Sequence, residues 1–218
     1  MLILLPPSER KQRGAHEAPV SLETLSFSEC LTPTRKSIIT NENPDLLRAP
    51  TSPAIEIYSG VLFKSLDFEA LSPAEKQRAK DRILIFSALF GVLRPMDRIP
   101  SYSSKMRSSD WKKPLATALA DLGNQLIVDC RSSTYAATWK STSLNTVYIR
   151  VFHQKLGQRT VVTHMSKKYR GELTRALVKN KKLENPEELL LLASRYFEVE
   201  LHAPIKRNPW ILDLIVQN

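Results

Sequence analysis

The chain has 218 residues, 42% hydrophobic and 25% charged, ordinary values for one globular domain with a buried core. Lys and Arg total 32 against 22 Asp and Glu, and the resulting charge of +10 points to a polyanionic or phosphate-bearing partner. Two cysteines, Cys30 and Cys130, exclude a disulfide-rich secreted scaffold, and no apolar run is long enough to span a membrane.

No Cys-x-x-Cys or His-Glu-x-x-His spacing is present, and His16, His153, His164 and His202 lack metal-ligand spacing. No metal and no cofactor are therefore expected. The opening "MLILLPPSERK" is too short in its apolar part for a signal peptide and has no preceding positive charge. The expectation is a cytoplasmic protein without a membrane partner.

In chain order, Met1–Leu5 predicts a buried strand stopped by Pro6 and Pro7, and residues 8–20 a polar, basic loop. Leu22–Ser37 predicts helix in pieces, with Thr32 as a cap and Pro33 at a first helical position. The turn formers of Thr40–Ala54 predict a connector. "LSPAEKQRAKDR" carries a helix start, with Ser72, Pro73 and Glu75 in capping-box order. Ile83–Pro100 predicts a buried strand ending in a loop pinned by Pro95 and Pro100, and Trp111–Leu122 an amphipathic helix ended by Gly123. A further strand follows in "QLIVDC". A hairpin turning near Leu156–Gly157 comes next, then a basic helix from Ser166 to about Lys181. A helix opened by Asn185, Pro186 and Glu188 leads to two closing strands. Strands and helices mix without a strict βαβ repeat, so the expected fold is a mixed α/β (α+β) single domain over residues 1–218, its central mixed sheet flanked by helices.

Four apolar runs each lead into a polar cluster. Leu2–Leu5 leads to Ser8, Glu9 and Lys11, and Ile83–Leu93 to Arg94, Asp97 and Arg98. Ile127–Val128 leads to Asp129, Arg131, Ser132, Ser133 and Tyr135, and Val161–Val162 to His164, Lys167 and Arg170. Loops at strand carboxyl ends line the ligand crevice of open α/β sheets. If these strands are parallel neighbours, the clusters form a basic cleft for a phosphate or carboxylate. The helix opening with Lys167, Lys168 and Arg170 puts cations where a helix is already positive, which an anion there would relieve.

Each cluster also has a plainer interpretation. Ser8 can simply cap a turn, and Arg94 with Asp97 can form an ion pair that holds "RPMDRIP". Tyr135 and Trp139, four apart, can face the core; Cys130 beside Arg131 is either an activated thiol or a buried inert one. A Walker-type loop, a Gly-x-Gly-x-x-Gly turn and a Gly-x-Ser-x-Gly elbow are all missing. Standard triphosphatases, dinucleotide dehydrogenases and serine hydrolases are disfavoured.

The stretches "MLILLPPSERK", "IYSGVLFKSLD", "SALFGVLRPMDRIPSY", "VDCRSSTYAATW" and "MSKKYRGELTRAL" make the chain similar to the YaaA family of bacterial peroxide-stress proteins, in its actinobacterial-like branch. The resemblance implies a cytosolic protein that limits iron-linked oxidative damage and binds DNA, with an α/β core, a basic cleft and often a helix-hairpin-helix element. It carries over Ser8, Lys11, Tyr58, Gly60, Arg94, Asp97, Tyr102, Ser133, Tyr135, Lys167, Arg170 and Gly171. With Arg131 from the cluster pattern, these make up the expected anion- or nucleic-acid-binding set, apart from Tyr58 and Gly60.

Three departures stand out. Arg10 replaces a usual glycine, "SYSSKM" lacks the arginine that commonly follows the tyrosine, and the stretch between Thr34 and Ile57 is short. The 35–56 connector cannot build the usual helix-hairpin-helix, so DNA contact would rest on the basic clusters. Two functions are carried forward. One is a binding protein for DNA or another phosphate-bearing ligand. The other is an enzyme on a phosphate- or carboxylate-bearing small molecule, with Asp97 as candidate base and Ser8 or Ser133 as hydroxyl participants.

Overall fold

The structure is a computed structural model that describes residues 1–15, 18–155, 158–161, 165–206 and 208–217. In chain order, β1 (Leu2–Leu5) is followed by α1 (Ser28–Glu42), β2 (Thr51–Pro53), α2 (Ala54–Ile57), α3 (Val61–Leu66) and α4 (Pro73–Arg82). β3 (Ile83–Ser87), β4 (Gly91–Leu93) and β5 (Arg98–Pro100) come next, then α5 (Ser108–Ala118), β6 (Ile127–Asp129) and α6 (Ser133–Ala136). β7 (Thr146–Lys155) and β8 (Gln158–Val161) precede α7 (Ser166–Lys179), α8 (Pro186–Ala193), β9 (Glu198–His202) and β10 (Trp210–Gln217).

One mixed sheet runs in the order β4-β3-β1-β6-β7-β10-β9, and β8 adds to the outer half of β7. β1, β3, β6, β7 and β10 are parallel, while β4, β8 and β9 run against their neighbours. β1 pairs on both edges, and all four of its residues are buried, which accounts for the unbroken apolar "LILL". β3 is equally buried as "ILIFS". Helices flank this sheet, as expected, and β2 pairs with β5 in a separate two-stranded ladder. No helix among the described residues is long and apolar enough to cross a membrane.

Local signals placed two helices closely. Ser72 and Glu75 exchange the reciprocal bonds of a capping box at α4, with Pro73 in the first turn. Asn185 accepts from Glu188 N–H at 2.8 Å to open α8. The proposed turn at Leu156–Gly157 lies outside the described residues, but Lys155 and Gln158 pair on either side of it.

Two expectations need correction. Pro33 sits inside α1 rather than at its start, because the helix begins at Ser28 after Phe27 in the left-handed region at φ 60°. Burial of Leu31, Arg35, Ile38 and Ile39 carries the helix through the proline's missing donor. Arg35 is fully buried: its Nε donates to Phe90 O at 3.0 Å, and its Nη2 to Ser26 O and Val92 O at 2.9 Å. α1 is thereby fastened to the β3–β4 hairpin. The 35–56 stretch consists of the rest of α1, a 3₁₀ turn at Pro44–Arg48, β2 and the first turn of α2.

The second correction concerns Ile83–Leu93, which is not one strand. β3 runs out and β4 returns antiparallel, pairing Ile85 with Leu93 and Ser87 with Gly91. The loop after Leu93 therefore emerges at the amino end of β3.

Candidate anion-binding cleft

At the carboxyl ends of β1 and β6 lies a cleft of about 480 Å³. Pro6–Lys11, Ser59–Lys64, Tyr102, Ser104, Ser132, Tyr135, Ser166, Lys167 and Arg170 line it. Of the residues expected there, Ser8, Lys11, Tyr102, Tyr135, Lys167 and Arg170 do face this space. The register explains the convergence. Leu4 of β1 pairs with Asp129 of β6, and Asp129 with Tyr148 of β7, so the loops after β1 and β6 leave the sheet side by side. β7 continues beyond that level, and β8 folds back along it toward α7. Arg170 Nη2 then donates to Ile149 O at 3.1 Å, one residue past Tyr148. His164, the other member of that cluster, lies outside the described residues.

The loop after β1 is zipped to the segment before α3. Lys11 bridges Tyr58, Gln12 N–H donates to Ile57 O at 2.8 Å, and Ser59 N–H donates to Arg10 O at 3.1 Å. Ser8 Oγ donates to Arg10 O, and it lies where a Cβ on Gly60 would fall, at 2.4 Å. Glycine at 60 thus lets the two segments close on each other.

Behind Lys11 sits a chain of buried hydroxyls. Ser87 Oγ accepts from Phe90 N–H at 2.9 Å and shares a hydrogen bond with Tyr102 Oη at 2.7 Å. Tyr102 Oη shares another with Tyr58 Oη at 2.8 Å. Lys11 Nζ rests over the Tyr102 ring, 4.3 Å from its centroid. Burial raises Tyr58 and Tyr102 well above the usual phenol range, and it pushes Tyr135 up to about 12, with Glu9 adding to the effect. All three stay protonated at neutral pH. Burial lowers the Lys11 pKa, with Glu9 opposing.

Charge in the cleft is one-sided. Arg10, Lys11, Lys64, Lys167 and Arg170 line it against a single carboxylate, Glu9, among the described residues. Glu9 is exposed and approaches Lys167 Nζ at 3.8 Å, a pair with little binding value in water.

Some of the remaining positive charge is structural. Arg78 and Arg82 of α4 donate to Leu177, Val178, Lys179 and Asn180 carbonyls at the end of α7, and Arg175 donates to Leu66 O and Asp67 O at the end of α3. These arginines satisfy helix-end acceptors that would otherwise face water.

The remaining expected residues stand elsewhere. Arg94 and Asp97 are at the other end of the sheet, for the topological reason given above. Arg94 Nη1 donates to Lys80 O and Asp81 O, just before β3. Asp97 accepts from Arg94 N–H at 2.9 Å and from Ser26 N–H and Oγ at 3.1 and 2.9 Å. It is a loop clamp rather than a partner of the cleft. Asp97→Asn would set an amide N–H₂ against an N–H donor whichever way it is turned. The expected loss is about 1–3 kcal/mol in urea unfolding, with phosphate affinity of the folded protein unchanged.

Arg131 is buried in an ion pair with Asp129 and does not line the cleft. Ser133 is the exposed first residue of α6, and its neighbour Ser132 takes the lining position. Gly171 is a packing residue, since a Cβ there would meet Leu62 O at 2.2 Å. Cys130 is buried and its thiol is pushed up to about 12, which fits the inert interpretation. Ser104 and Ser166 had no signal beyond being small polar residues near a lining residue.

Elsewhere, Glu200, His202 and Asp213 bring ligand-type atoms within 4.8 Å of one another. Asp213 already receives Arg150 through both oxygens at 2.6 and 2.7 Å and His202 Nε2 at 2.9 Å, and Glu200 receives Arg159. A cation would have to displace two guanidinium groups. The cluster ties β7 and β8 to β9 and β10.

The sequence profile of the family described as peroxide stress protein YaaA matches residues 1–202. The chain belongs to the YaaA family. A UPF0246 protein of Streptomyces coelicolor is 35% identical over 259 aligned residues, covering 99% of this chain and 98% of the relative. A UPF0246 protein of Corynebacterium efficiens is 38% identical over 214 residues, 81% of this chain and 84% of its own length. One from Corynebacterium glutamicum is 33% identical over 231 residues, 88% and 91% of the two chains. The first alignment is longer than this 218-residue chain, so that YaaA relative carries residues that are missing here. Arg10, noted above as a departure from the YaaA pattern, lines the cleft and adds to its positive charge.

Proposed function

We propose that this peroxide-stress family member works by binding a phosphate-bearing ligand in the cleft at the carboxyl ends of β1 and β6. The observation that carries the reading is five cationic side chains and a set of hydroxyls around about 480 Å³, against one exposed carboxylate. Arginine and lysine donors with hydroxyls suit phosphate oxygens, and the volume suits one nucleotide or phosphorylated sugar. Contact with DNA would run through backbone phosphates at the same cations. It would be independent of sequence and weaken steeply with salt. Binding is favoured over catalysis because Asp97, the candidate base, lies at the opposite end of the sheet.

The test is calorimetric titration with a mononucleotide and, separately, a labelled duplex at several salt concentrations. Arg170→Ala is expected to weaken mononucleotide binding by about tenfold or more, equivalent to one charge-assisted hydrogen bond. Affinity should also fall as pH rises through the lowered range of Lys11, where its ammonium is lost. Unchanged affinity in Arg170→Ala, or duplex binding insensitive to salt, would defeat the proposal.

A further inference from the structure

Three lysines line the cleft, and their settings differ. Lys64 is exposed, and Lys167 has Glu9 Oε1 3.8 Å away. Lys11 is partly buried, and among the described residues no carboxylate lies within ion-pair distance of it. Its backbone is fixed by the bridge to Tyr58 and the neighbouring bond from Gln12 N–H to Ile57 O. Its Nζ rests against two ring faces, 4.3 Å from the Tyr102 centroid and 5.9 Å from that of Tyr58. The rings shield the amine and favour its charged form, while burial favours the neutral form and lowers the pKa. A lysine with a lowered pKa carries a larger nucleophilic fraction at neutral pH.

We propose that Lys11 forms an imine with the aldehyde of a small phosphate ester held in the cleft; this rests on the phosphate-binding reading above. The surplus cations, Lys167 and Arg170 among them, would hold the phosphate and so bring the carbonyl to the amine. The Nζ lone pair adds to the carbonyl carbon, the C=O bond opens, and the nitrogen's proton passes to that oxygen. The resulting carbinolamine loses its hydroxyl as water, and a C=N bond forms. Tyr135, protonated and on the same cleft, can donate to the departing hydroxyl and recover its proton from the nitrogen as the C=N bond forms. No oxidant or reductant is consumed.

The experiment incubates the full chain with glyceraldehyde 3-phosphate and cyanoborohydride at neutral pH, then maps adducts by peptide mass spectrometry. Hydride reduction of the imine leaves a stable secondary amine heavier by the ligand's mass less one oxygen. The expected result is labelling of Lys11 about tenfold or more above any other lysine, because a phosphate held in the cleft keeps the carbonyl beside this amine, suppressed by excess glycerol 3-phosphate. Glycerol 3-phosphate has the phosphate but no carbonyl, and its own binding is measured by calorimetry. If it binds yet labelling is spread evenly over the lysines, the imine is wrong and phosphate binding stands. If it does not bind, the phosphate reading fails as well. Labelling of Lys11 that glycerol 3-phosphate does not suppress also overturns the proposal, since the phosphate would then play no part.

Discussion

Asp129→Ala is expected to lower the unfolding free energy by about 3–5 kcal/mol, the range for removing one partner of a buried ion pair. Arg131 is fully buried, and its Nε and Nη2 donate to Asp129 Oδ1 and Oδ2 at 2.9 and 2.7 Å. Nη2 also donates to Trp139 O at 2.9 Å, and the guanidinium centre lies 4.2 Å from the Phe86 ring centroid. Without the carboxylate this cation stays in the interior with no countercharge. The consequence reaches the cleft, because the Arg131 bonds to Tyr135 O and Trp139 O hold the turn that presents Ser132 and Tyr135. Asp129→Ala combined with Arg131→Leu should recover part of the loss, since an apolar replacement of a buried pair is often nearly neutral. Urea unfolding followed by circular dichroism measures both. A single-variant loss below about 1 kcal/mol, the value of a surface pair, would refute this account of the turn.

The second large effect is expected at Gly171, where stability and binding are coupled. α3 and α7 pack so closely there that a Cβ would lie 2.2 Å from Leu62 O and 2.8 Å from Ser65 Cβ. Backbone cannot yield as a side-chain tip can. Gly171→Ala should cost about 1–3 kcal/mol, the usual range for overpacking, and Gly171→Val more. α3 contributes Val61–Lys64 to the cleft and α7 contributes Lys167 and Arg170, so separating them disperses the cations that line it. The measurement pairs an unfolding curve with a mononucleotide titration. Lost affinity with an unchanged unfolding midpoint would instead make Gly171 a ligand contact, as the family resemblance implied.

What the sequence determined by itself was mostly local or buried on both sides. The strands of Leu2–Leu5 and Ile83–Ser87 were legible because a strand with neighbours on each edge and face is continuously apolar. The starts of α4 and α8 were legible because a capping box satisfies N–H groups within three residues. The cleft members Ser8, Lys11 and Tyr135 were legible because their clusters follow the apolar runs of β1 and β6, which end beside one another; Lys167 and Arg170 follow β8, which runs against β7, and reach the cleft on α7.

Tertiary structure alone decided the rest. A pattern of apolar residues carries no direction, so nothing in "ILIFSALFGVL" announced that the chain reverses between Ser87 and Gly91 and takes Arg94 and Asp97 to the far end. Nor does an arginine's identity tell whether it meets a ligand, caps a helix as Arg78 and Arg82 do, or is buried as Arg35 is. The same guanidinium donors serve all three, and the choice depends on which acceptors lie within about 3 Å, a fact of packing. Pro33 lies within a helix for a related reason: the burial of α1 against the β3–β4 hairpin outweighs one missing hydrogen bond. Composition gave the sign of the charge, and the fold determined which of the cations face the cleft.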